Sequence, residues 1–182
     1  MIDLKLAPTT KWLWVDLEMT GLNSAKDRIL EVAVIVTDFD FKMLDSYSTA
    51  IYQAPKVIKK INDWSKEQHA KSGLMERVKT APKEAKVQQD IIKLIKKNFK
   101  KEPAVLAGNS IYFDRQFIKQ WWPKIEELLH YRMLDVSSFK LLMQGKYGVM
   151  YTKKEVHLAF DDINESIAEL KFYLDYFNRI KR

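Results

Sequence analysis

The segment that most constrains the fold is residues 12–22, an apolar and aromatic run that contains two acids, Asp16 and Glu18. Such a run predicts a buried strand, in which side chains two residues apart point to the same face. The two carboxylates would stand together, while Val15 and Leu17 pack on the opposite face. Buried neighbouring carboxylates repel each other and lose hydration unless a cation lies between them. The segment therefore indicates either a divalent metal site or an edge strand whose acids face water.

The length and composition of the chain predict one globular domain. At 182 residues it is long enough to bury a core, and 47% hydrophobic with 30% charged residues is ordinary for a globular protein. No repeat, low-complexity tract or Pro/Gly/Ser-rich linker divides it. We expect a single domain over residues 1–182, with residues 1–10 as a short N-terminal extension.

The composition also excludes several kinds of site. The chain contains no cysteine, which excludes disulfides and Cys-ligated zinc or iron–sulfur sites and suits a reducing compartment. No apolar run approaches the roughly 18 residues that span a bilayer. Residues 1–5 lack a secretory or transit pattern. The expected location is cytoplasmic, without a membrane partner.

The net charge favours a polyanionic partner. It is +7, with a pI near 9.3, and basic proteins commonly bind nucleic acids. Part of this charge lies on a predicted helix as one group of lysines: Lys93, Lys96, Lys97, Lys100 and Lys101. A solvated outer helix face is the simpler explanation of that group, so the basicity gives only a general indication of a nucleic-acid partner.

The hydrophobic periodicity predicts strands first and alternating helices and strands afterwards. The predicted strands are residues 11–17, 29–38, 42–51, 104–108 and 131–136. The predicted helices are residues 58–68, 83–99, 114–120, 123–130 and 162–179. Three antiparallel strands followed by this alternation predict a mixed sheet flanked by helices, which is an α/β sandwich.

Two further acids and a histidine lie where predicted elements begin or end. Asp114 follows the strand at residues 104–108 by a short loop, Asp162 opens the last helix, and His157 precedes Asp162 by five residues. Open α/β sheets assemble active sites at strand ends and helix starts. Each residue also has a simpler explanation, since both acids are good helix N-caps and a loop histidine is commonly exposed.

The joint pattern is more specific than any of its members. The chain resembles the DEDDh-type exonucleases of the RNase H-like fold, with five residues in the corresponding places: Asp16, Glu18, Asp114, His157 and Asp162. Five ordered blocks narrow the resemblance to the oligoribonuclease family, and together they cover nearly the whole chain. The blocks are Asp16-Leu-Glu-Met-Thr-Gly-Leu22, Trp64-Ser-Lys-Glu-Gln-His69, Ala107-Gly-Asn-Ser110, His130-Tyr-Arg-Met-Leu-Asp-Val-Ser137 and Asp161-Asp-Ile-Asn-Glu-Ser-Ile-Ala-Glu-Leu170.

The chain departs from the family pattern at two places. Tyr112 and Phe113 stand where the family usually has a Gly-Gln pair, and Asn164 stands where it usually has Arg. The acids and the histidine are unaffected, so the implied chemistry is unchanged. The two aromatic side chains bear on the local shape of the substrate pocket.

The resemblance implies both a fold and an activity. The fold is an α/β, RNase H-like three-layer sandwich, whose mixed five-stranded sheet is flanked by helices. The activity is that of a 3′-to-5′ exoribonuclease. Its substrates would be short oligoribonucleotides, chiefly 5′-phosphorylated dinucleotides, and its products 5′-mononucleotides.

The implied mechanism uses two divalent cations per active site, Mg²⁺ or Mn²⁺, about 3.5–4 Å apart. The metal ligands would be the four acids: Asp16, Glu18, Asp114 and Asp162. Carboxylate oxygens suit both ions, so the sequence does not choose between them. His157 would be the general base, because a neutral imidazole accepts a proton from the attacking water.

The resemblance also implies seven substrate-binding residues: Leu22, Trp64, His69, Ser110, Tyr131, Arg132 and Ser137. Leu22 and Trp64 would contact bases, since an aromatic face stacks on any base, although a core position also suits a tryptophan. Ser110, Ser137 and Arg132 would hold the 5′-terminal phosphate, with His69 as a further contact. Tyr131 and Arg132 would reach this site from a second subunit, which implies a homodimer.

Two other functions remain open on the sequence. One is a DEDDh exonuclease that acts on longer DNA or RNA, against which stand the Trp64 block and residues 130–132. The other is a non-catalytic nucleic-acid-binding module. Such a module would be expected to have lost an acid, whereas all four acids are present.

Overall fold

Five strands form one mixed sheet in the part of the chain that the computed structural model describes. That part is residues 10–61, 63–152 and 159–180, without the side chains of Asp63, Trp64, Gln68 and Ile180. The strands are β1 (Lys11–Met19), β2 (Ile29–Asp38), β3 (Met43–Ala50), β4 (Ala104–Gly108) and β5 (Leu129–Asp135). Their order in the sheet is β3-β2-β1-β4-β5. The strands β1, β2 and β3 are antiparallel neighbours, whereas β4 is parallel to β1 and to β5, so the predicted mixed five-stranded sheet is confirmed.

Helices connect and cover these strands. The described helices are α1 (Pro55–Ile58), α2 (Asp63–Lys71), α3 (Leu74–Thr80), α4 (Glu84–Phe99), α5 (Ile111–Trp121), α6 (Pro123–Glu126), α7 (Val136–Tyr147) and α8 (Ala159–Ile180). None of these helices is both long and apolar enough to cross a membrane.

The observed helices differ from the predicted ones in four places. The helix predicted at residues 58–68 is divided between α1 and α2. The helix predicted at residues 123–130 ends at Glu126, because the strand β5 begins at Leu129. The helices α3 and α7 were not predicted. In α7 both Leu141 and Leu142 are exposed, so its apolar residues do not form the clean stripe by which a helix is recognised.

The sheet separates two cores, and β1 contributes to both. Leu13, Val15 and Leu17 lie in a core with α4 and α5, while Trp14 packs against α8 in the other core. The predicted placement of Val15 and Leu17 on one face is therefore confirmed. The result is three layers, with the even-numbered residues of β1 facing α8.

The ends of three parallel strands meet at one edge of the sheet. Glu18 lies near the end of β1, Asn109 follows β4, and Asp135 ends β5. The strand β4 comes very close to β1 here, because a Cβ on Gly108 would lie 2.9 Å from the carbonyl oxygen of Val15. Only a glycine allows this approach without a backbone shift, and it places the β4–α5 junction beside the acids of β1.

Candidate active site

Three carboxylates meet at the end of β1. Asp16 and Glu18 lie on the face of β1 that is covered by α8, and Asp162 lies in the first turn of α8. One oxygen of each carboxylate lies within 4.8 Å of the others. Since β1 is hydrogen-bonded to β2 on one side and to β4 on the other, the alternative of an edge strand with solvated acids is wrong.

Asp114 and Asp162 lie inside helices and not at their N-caps. Asp114 is the fourth residue of α5, whose N-cap is Ser110, and Asp162 is the fourth residue of α8. The helix-cap explanation is therefore wrong for both acids. The predicted position of Asp162 at the start of the last helix is close, but three residues of α8 precede it.

Asp114 is tied to the backbone of β1. Its Oδ1 accepts a hydrogen bond from the backbone N–H of Leu17 at 3.0 Å. Burial raises the pKa of Asp114 to about 7, with a smaller contribution from Asp135, while the hydrogen bond from Leu17 opposes the shift. Among the described residues the three-carboxylate group does not include Asp114, so its role as a metal ligand stays a prediction.

The electrostatics of the cluster suit a cation. Burial raises the pKa of Glu18 to about 8, and repulsion from Asp162, Glu31 and Asp114 adds to the shift, while Arg77 opposes it. The carboxylates therefore resist full ionisation unless positive charge compensates them. Clustered carboxylate oxygens are the donors that Mg²⁺ and Mn²⁺ take in proteins, so the residues present fit a divalent ion of that kind.

An ion pair that the sequence analysis missed lies next to Glu18. Glu31 is the antiparallel partner of Glu18 across β1 and β2, and it is buried. The guanidinium of Arg77, in α3, binds both carboxylate oxygens of Glu31. Glu31 is an acid among the apolar residues at the start of β2, which is the same kind of pattern that indicated a site at Asp16. Its partner could not be found in the same way, because it lies 46 residues further along the chain.

His69 is buried beside the end of β1. Its Nε2 lies 2.8 Å from the carbonyl oxygen of Met19, and its Nδ1 lies 3.7 Å from Oε2 of Glu18. A carbonyl oxygen only accepts, so Nε2 carries a hydrogen and donates to it. His69 thus contacts the residue next to Glu18 and approaches Glu18 itself. Its predicted contact with a substrate phosphate stays a prediction.

Two of the predicted residues lie outside the described part of the structure. His157, the predicted base, belongs to residues 153–158. The backbone of Trp64 lies in α2, but its side chain is not described. Their roles in proton transfer and base contact therefore stay predictions.

Ser110 and Ser137 form a hydroxyl pair at the same edge of the sheet. Their Oγ atoms are 3.0 Å apart, and the backbone N–H of Ser110 donates to Ser137 Oγ at 2.9 Å. Asp135 Oδ1 accepts from the backbone N–H groups of both serines, at 3.0 and 2.9 Å. Ser110 is exposed and has a left-handed backbone with φ of 50°. The structure thus brings together two of the residues that were predicted to hold a phosphate.

Leu22 projects from a tightly bonded loop after β1. Its side chain is 74% exposed. The carboxylate of Asp27 holds the loop, accepting from Thr20 Oγ1 at 3.0 Å and from the backbone N–H of Asn23 at 2.8 Å. A Cβ on Gly21 would lie 2.6 Å from that carboxylate. An open cavity of about 630 Å³ borders the loop and is lined by Thr20, Gly21, Leu22, Asn23, Ser24, Asp27 and Lys60.

Tyr131 and Arg132 lie on β5, an edge strand of the sheet. Both are exposed, Tyr131 at 71%. The guanidinium of Arg115 supports this segment by donating to the carbonyl oxygens of His130 and Tyr131. Tyr112, at the start of α5, is also exposed. These side chains are accessible to a second chain or to substrate.

Solved structures of known proteins share the fold. Exonuclease I of E. coli in complex with a 5cy-dT13 oligonucleotide matches with a TM-score of 0.69 at 16% identity, covering 92% of this chain and 43% of that chain. Exonuclease I of Methylocaldum szegediense matches with a TM-score of 0.66 at 16% identity, covering 88% and 39%. The chain spans less than half the length of these proteins, and the likeness concerns the fold alone.

Sequence comparisons are more specific. The RNase T family, described as exonuclease, matches residues 13–170. The oligoribonuclease of Francisella tularensis subsp. tularensis is 43% identical over 164 residues, which cover 88% of this chain and 92% of that protein. The oligoribonuclease of Chromobacterium violaceum is 38% identical over 177 residues, which cover 94% and 98%. With the exonuclease fold and three carboxylates in its site, the chain belongs to the oligoribonuclease family of exonucleases.

Proposed function

We propose that this protein is a 3′-to-5′ exoribonuclease that degrades short oligoribonucleotides, chiefly 5′-phosphorylated dinucleotides, to 5′-mononucleotides. Membership of the oligoribonuclease family supports the reaction class. The preference for short substrates is supported by the positions of the acids and of the serine pair, which lie at the same edge of the sheet. The acids lie at the end of β1, and the serine pair follows β4 and β5.

The observation that carries the proposal is the cluster formed by Asp16, Glu18 and Asp162. Its oxygens come from a central strand and a long helix, which are rigid supports for a reacting group. A binding module would gain nothing from three acids that repel an RNA phosphate in the absence of a cation. The cluster therefore favours metal-dependent hydrolysis.

Each part of the site has a task in the proposed reaction. Asp16, Glu18 and Asp162 would bind the divalent ions, with Asp114 as a further ligand. When bound, two such ions stabilise the attacking and leaving oxygens of an in-line displacement at phosphorus. His157 would accept a proton from the attacking water, since a neutral imidazole is a suitable base near neutral pH.

The substrate would be held at two points. Leu22 and the Trp64 side chain would contact the base at one end, while Ser110 and Ser137 would hold the 5′-terminal phosphate with Arg132 and His69. The exposure of Leu22 and Ser110 supports this arrangement. A substrate gripped at both ends is limited in length, so dinucleotides should be preferred over long chains.

The test compares turnover of a 5′-phosphorylated diribonucleotide with that of a long single-stranded RNA, each with Mn²⁺ and with EDTA. We expect metal-dependent cleavage that is much faster for the dinucleotide. Equal or faster cleavage of the long RNA would retain the metal chemistry but contradict the short-substrate proposal. Absence of cleavage in both would favour a nucleic-acid-binding role.

Two further properties belong to the proposal. A homodimer in which Tyr131 and Arg132 enter the partner's site is supported by the exposure of both residues on an edge strand. A cytoplasmic location is supported by the cysteine-free composition, which suits a reducing compartment. Fractionation of cells that express the protein tests the location.

A further inference from the structure

The strand β5 contains a β-bulge at residues 130–132. Ala104 of β4 pairs with Leu129, and Leu106, two residues further along β4, pairs with Met133. One residue of β4 therefore spans the same stretch of the sheet as three residues of β5. Extra residues of this kind bend a strand and change the direction in which its side chains point. The bulge coincides with the segment that is proposed to enter the partner's site.

The bulge explains why two adjacent side chains of β5 are exposed together. In a regular strand, Tyr131 and Arg132 would point to opposite faces of the sheet. Instead both are exposed, and the guanidinium carbon of Arg132 lies 5.2 Å from the centroid of the Tyr131 ring. The bulge therefore presents an aromatic ring and a cation side by side.

Arg115 binds the carbonyl groups of the bulge. Its Nη1 donates to the carbonyl oxygens of His130 at 2.9 Å and of Tyr131 at 3.1 Å. Its Nε and Nη2 donate to Oε1 of Glu126, at 3.1 and 2.8 Å. The side chain of Arg115 is only 15% exposed, so these bonds are largely shielded from water. The planar guanidinium thus ties the bulge to α5 and α6, which the single ammonium group of a lysine would not reproduce.

His130 binds a backbone N–H group of the same bulge. Its Nδ1 accepts from the N–H of Arg132 at 3.0 Å, and the centroids of the His130 and Tyr131 rings are 4.5 Å apart. A backbone N–H only donates, so Nδ1 carries no hydrogen. Asparagine side chains commonly accept from the N–H two residues further along the chain, as in an Asx turn. Asparagine at position 130 can therefore replace this bond, whereas leucine has no acceptor.

We propose that Arg115 and His130 are positioning residues that hold β5 in its bulge and thereby present Tyr131 and Arg132 together to the substrate. Both bind the backbone of residues 130–132, and neither would contact the substrate itself. This inference rests on the proposed function, which gives Tyr131 and Arg132 a place in the partner's site, and it adds the residues that set the conformation of that segment.

The main test measures kcat and KM for a 5′-phosphorylated diribonucleotide. Arg132→Ala should raise KM by on the order of 10-fold, because a hydrogen bond to a charged group of the substrate is lost. We expect Arg115→Met to raise KM by a similar factor and to change kcat less. Sedimentation velocity at the assay concentration establishes that the compared variants have the oligomeric state of the wild type.

A second background separates positioning from a purely structural role. In the Tyr131→Ala/Arg132→Ala protein the side chains to be positioned are absent, so adding Arg115→Met should raise KM little further. A purely structural role of Arg115 would raise KM or lower kcat by the same factor in both backgrounds. Equal factors would therefore overturn the proposal.

The role of His130 is tested with a matched pair of variants. His130→Asn should keep KM close to the wild-type value, whereas His130→Leu should raise it several-fold. Both variants lose the imidazole ring, so the difference between them isolates the acceptor for the N–H of Arg132. Equal KM values in the two variants would overturn the role of His130. If Arg115→Met does not fold or does not assemble as the wild type does, this pair decides the proposal.

The Arg132→Ala variant distinguishes this inference from the proposed function. If it leaves KM unchanged, the proposed substrate contact of Arg132 is wrong, and this inference is overturned with it. If Arg132→Ala raises KM while Arg115→Met and His130→Leu do not, only the positioning roles are overturned and the proposed function stands.

Discussion

Burial of Glu18 by the fold opposes the ionisation that metal binding by its carboxylate would require. In the metal-free protein its pKa lies near 8, because burial and the neighbouring acids disfavour its ionised form. Asp114 is shifted in the same direction, with a pKa near 7. In the unfolded chain both groups would lose their protons at much lower pH. At pH values between the unfolded and the folded pKa of these groups, the folded protein binds more protons than the unfolded chain. The free energy of unfolding must therefore depend on pH.

The free energy of unfolding of the metal-free protein should therefore fall as pH rises from about 4.5 to 8. The contribution of Glu18 is fully present below its unfolded pKa and is lost above its folded pKa, a change on the order of 1–4 kcal/mol. A divalent cation would bind the ionised carboxylates, so any stabilising effect of added Mg²⁺ should grow with pH. Denaturant titrations with Mg²⁺ and with EDTA across this pH range measure both effects.

The Glu18→Gln variant provides the control for this pH dependence. It removes one titrating group, so the slope of stability against pH should become shallower while the slope due to Asp114 remains. Metal-free wild-type protein that becomes more stable with rising pH over this range would contradict the assignment.

At the scale of the elements, β4 and α7 use glycine for different reasons. Gly108 ends β4 where a Cβ would meet the carbonyl oxygen of Val15 at 2.9 Å and Cδ1 of Ile111 at 3.0 Å. Gly145 lies inside α7, and nothing lies within 4 Å of a Cβ placed there. The first glycine is required by packing, whereas the second only increases the flexibility of a helix.

Alanine at these two positions should have opposite effects. Gly108→Ala should destabilise the protein by roughly 1–3 kcal/mol, because the strand must shift away from β1. Gly145→Ala should stabilise it by roughly 0.5–1 kcal/mol, since alanine is the better helix former. Equilibrium unfolding in urea measures both. Equal changes in the two variants would contradict the packing role of Gly108.

The elements that the sequence predicted well are those with a regular apolar pattern. The strand β1 was predicted because it is an apolar and aromatic run around two acids, and α8 because Ile163 and Ile167 recur at helical spacing. The helices α3 and α7 were missed: α3 is only seven residues long, and α7 exposes much of its apolar surface. Contacts between such elements are set by tertiary packing, which a local pattern does not reveal.

The site was likewise predictable only where a local sequence pattern positions its residues. The meeting of Asp16 and Glu18 with Asp162 agrees with the predicted acid set, because strand alternation and the start of a helix can be read locally. The Glu31–Arg77 pair could not be predicted, since Arg77 lies on a missed helix. The hydrogen bond from Asn109 to Glu169 joins residues 60 positions apart and is likewise invisible in the sequence.

At the scale of the whole molecule, β5 is an edge strand with exposed side chains. Tyr131 and Arg132 lie beside each other on it, and the guanidinium of Arg132 is 5.2 Å from the ring of Tyr131. An edge strand presents backbone groups that a second chain can use. If Arg132 acts in the partner's site, a dimer should share its active sites between chains.

Co-expression of two inactive variants tests this sharing. The Asp16→Asn chain lacks a proposed metal ligand but retains Arg132, whereas the Arg132→Ala chain retains Asp16. In a mixed dimer with exchange across the interface, one of the two sites has both residues, so activity on a 5′-phosphorylated dinucleotide should return to about half of the wild-type activity per mixed dimer.

The same experiment has a clear opposite outcome. If each chain uses its own Arg132, no mixed dimer contains an intact site, and activity stays at the level of the Arg132→Ala protein. A mixture of the purified variants that has not exchanged subunits is the control, and light scattering establishes the oligomeric state of each sample.

The loop that Asp27 holds after β1 has a consequence for redesign of the protein. A side chain at position 21 would displace the carboxylate of Asp27, which lies 2.6 Å from the position of a Cβ there. The side chain of Leu22, next to it, is 74% exposed. Substitutions at position 22 alone should therefore change the side chain that is proposed to contact a base while the conformation of the loop is retained. If Leu22 contacts a base as proposed, selectivity among bases should therefore change with substitutions at position 22, whereas substitutions at position 21 should first disturb the loop.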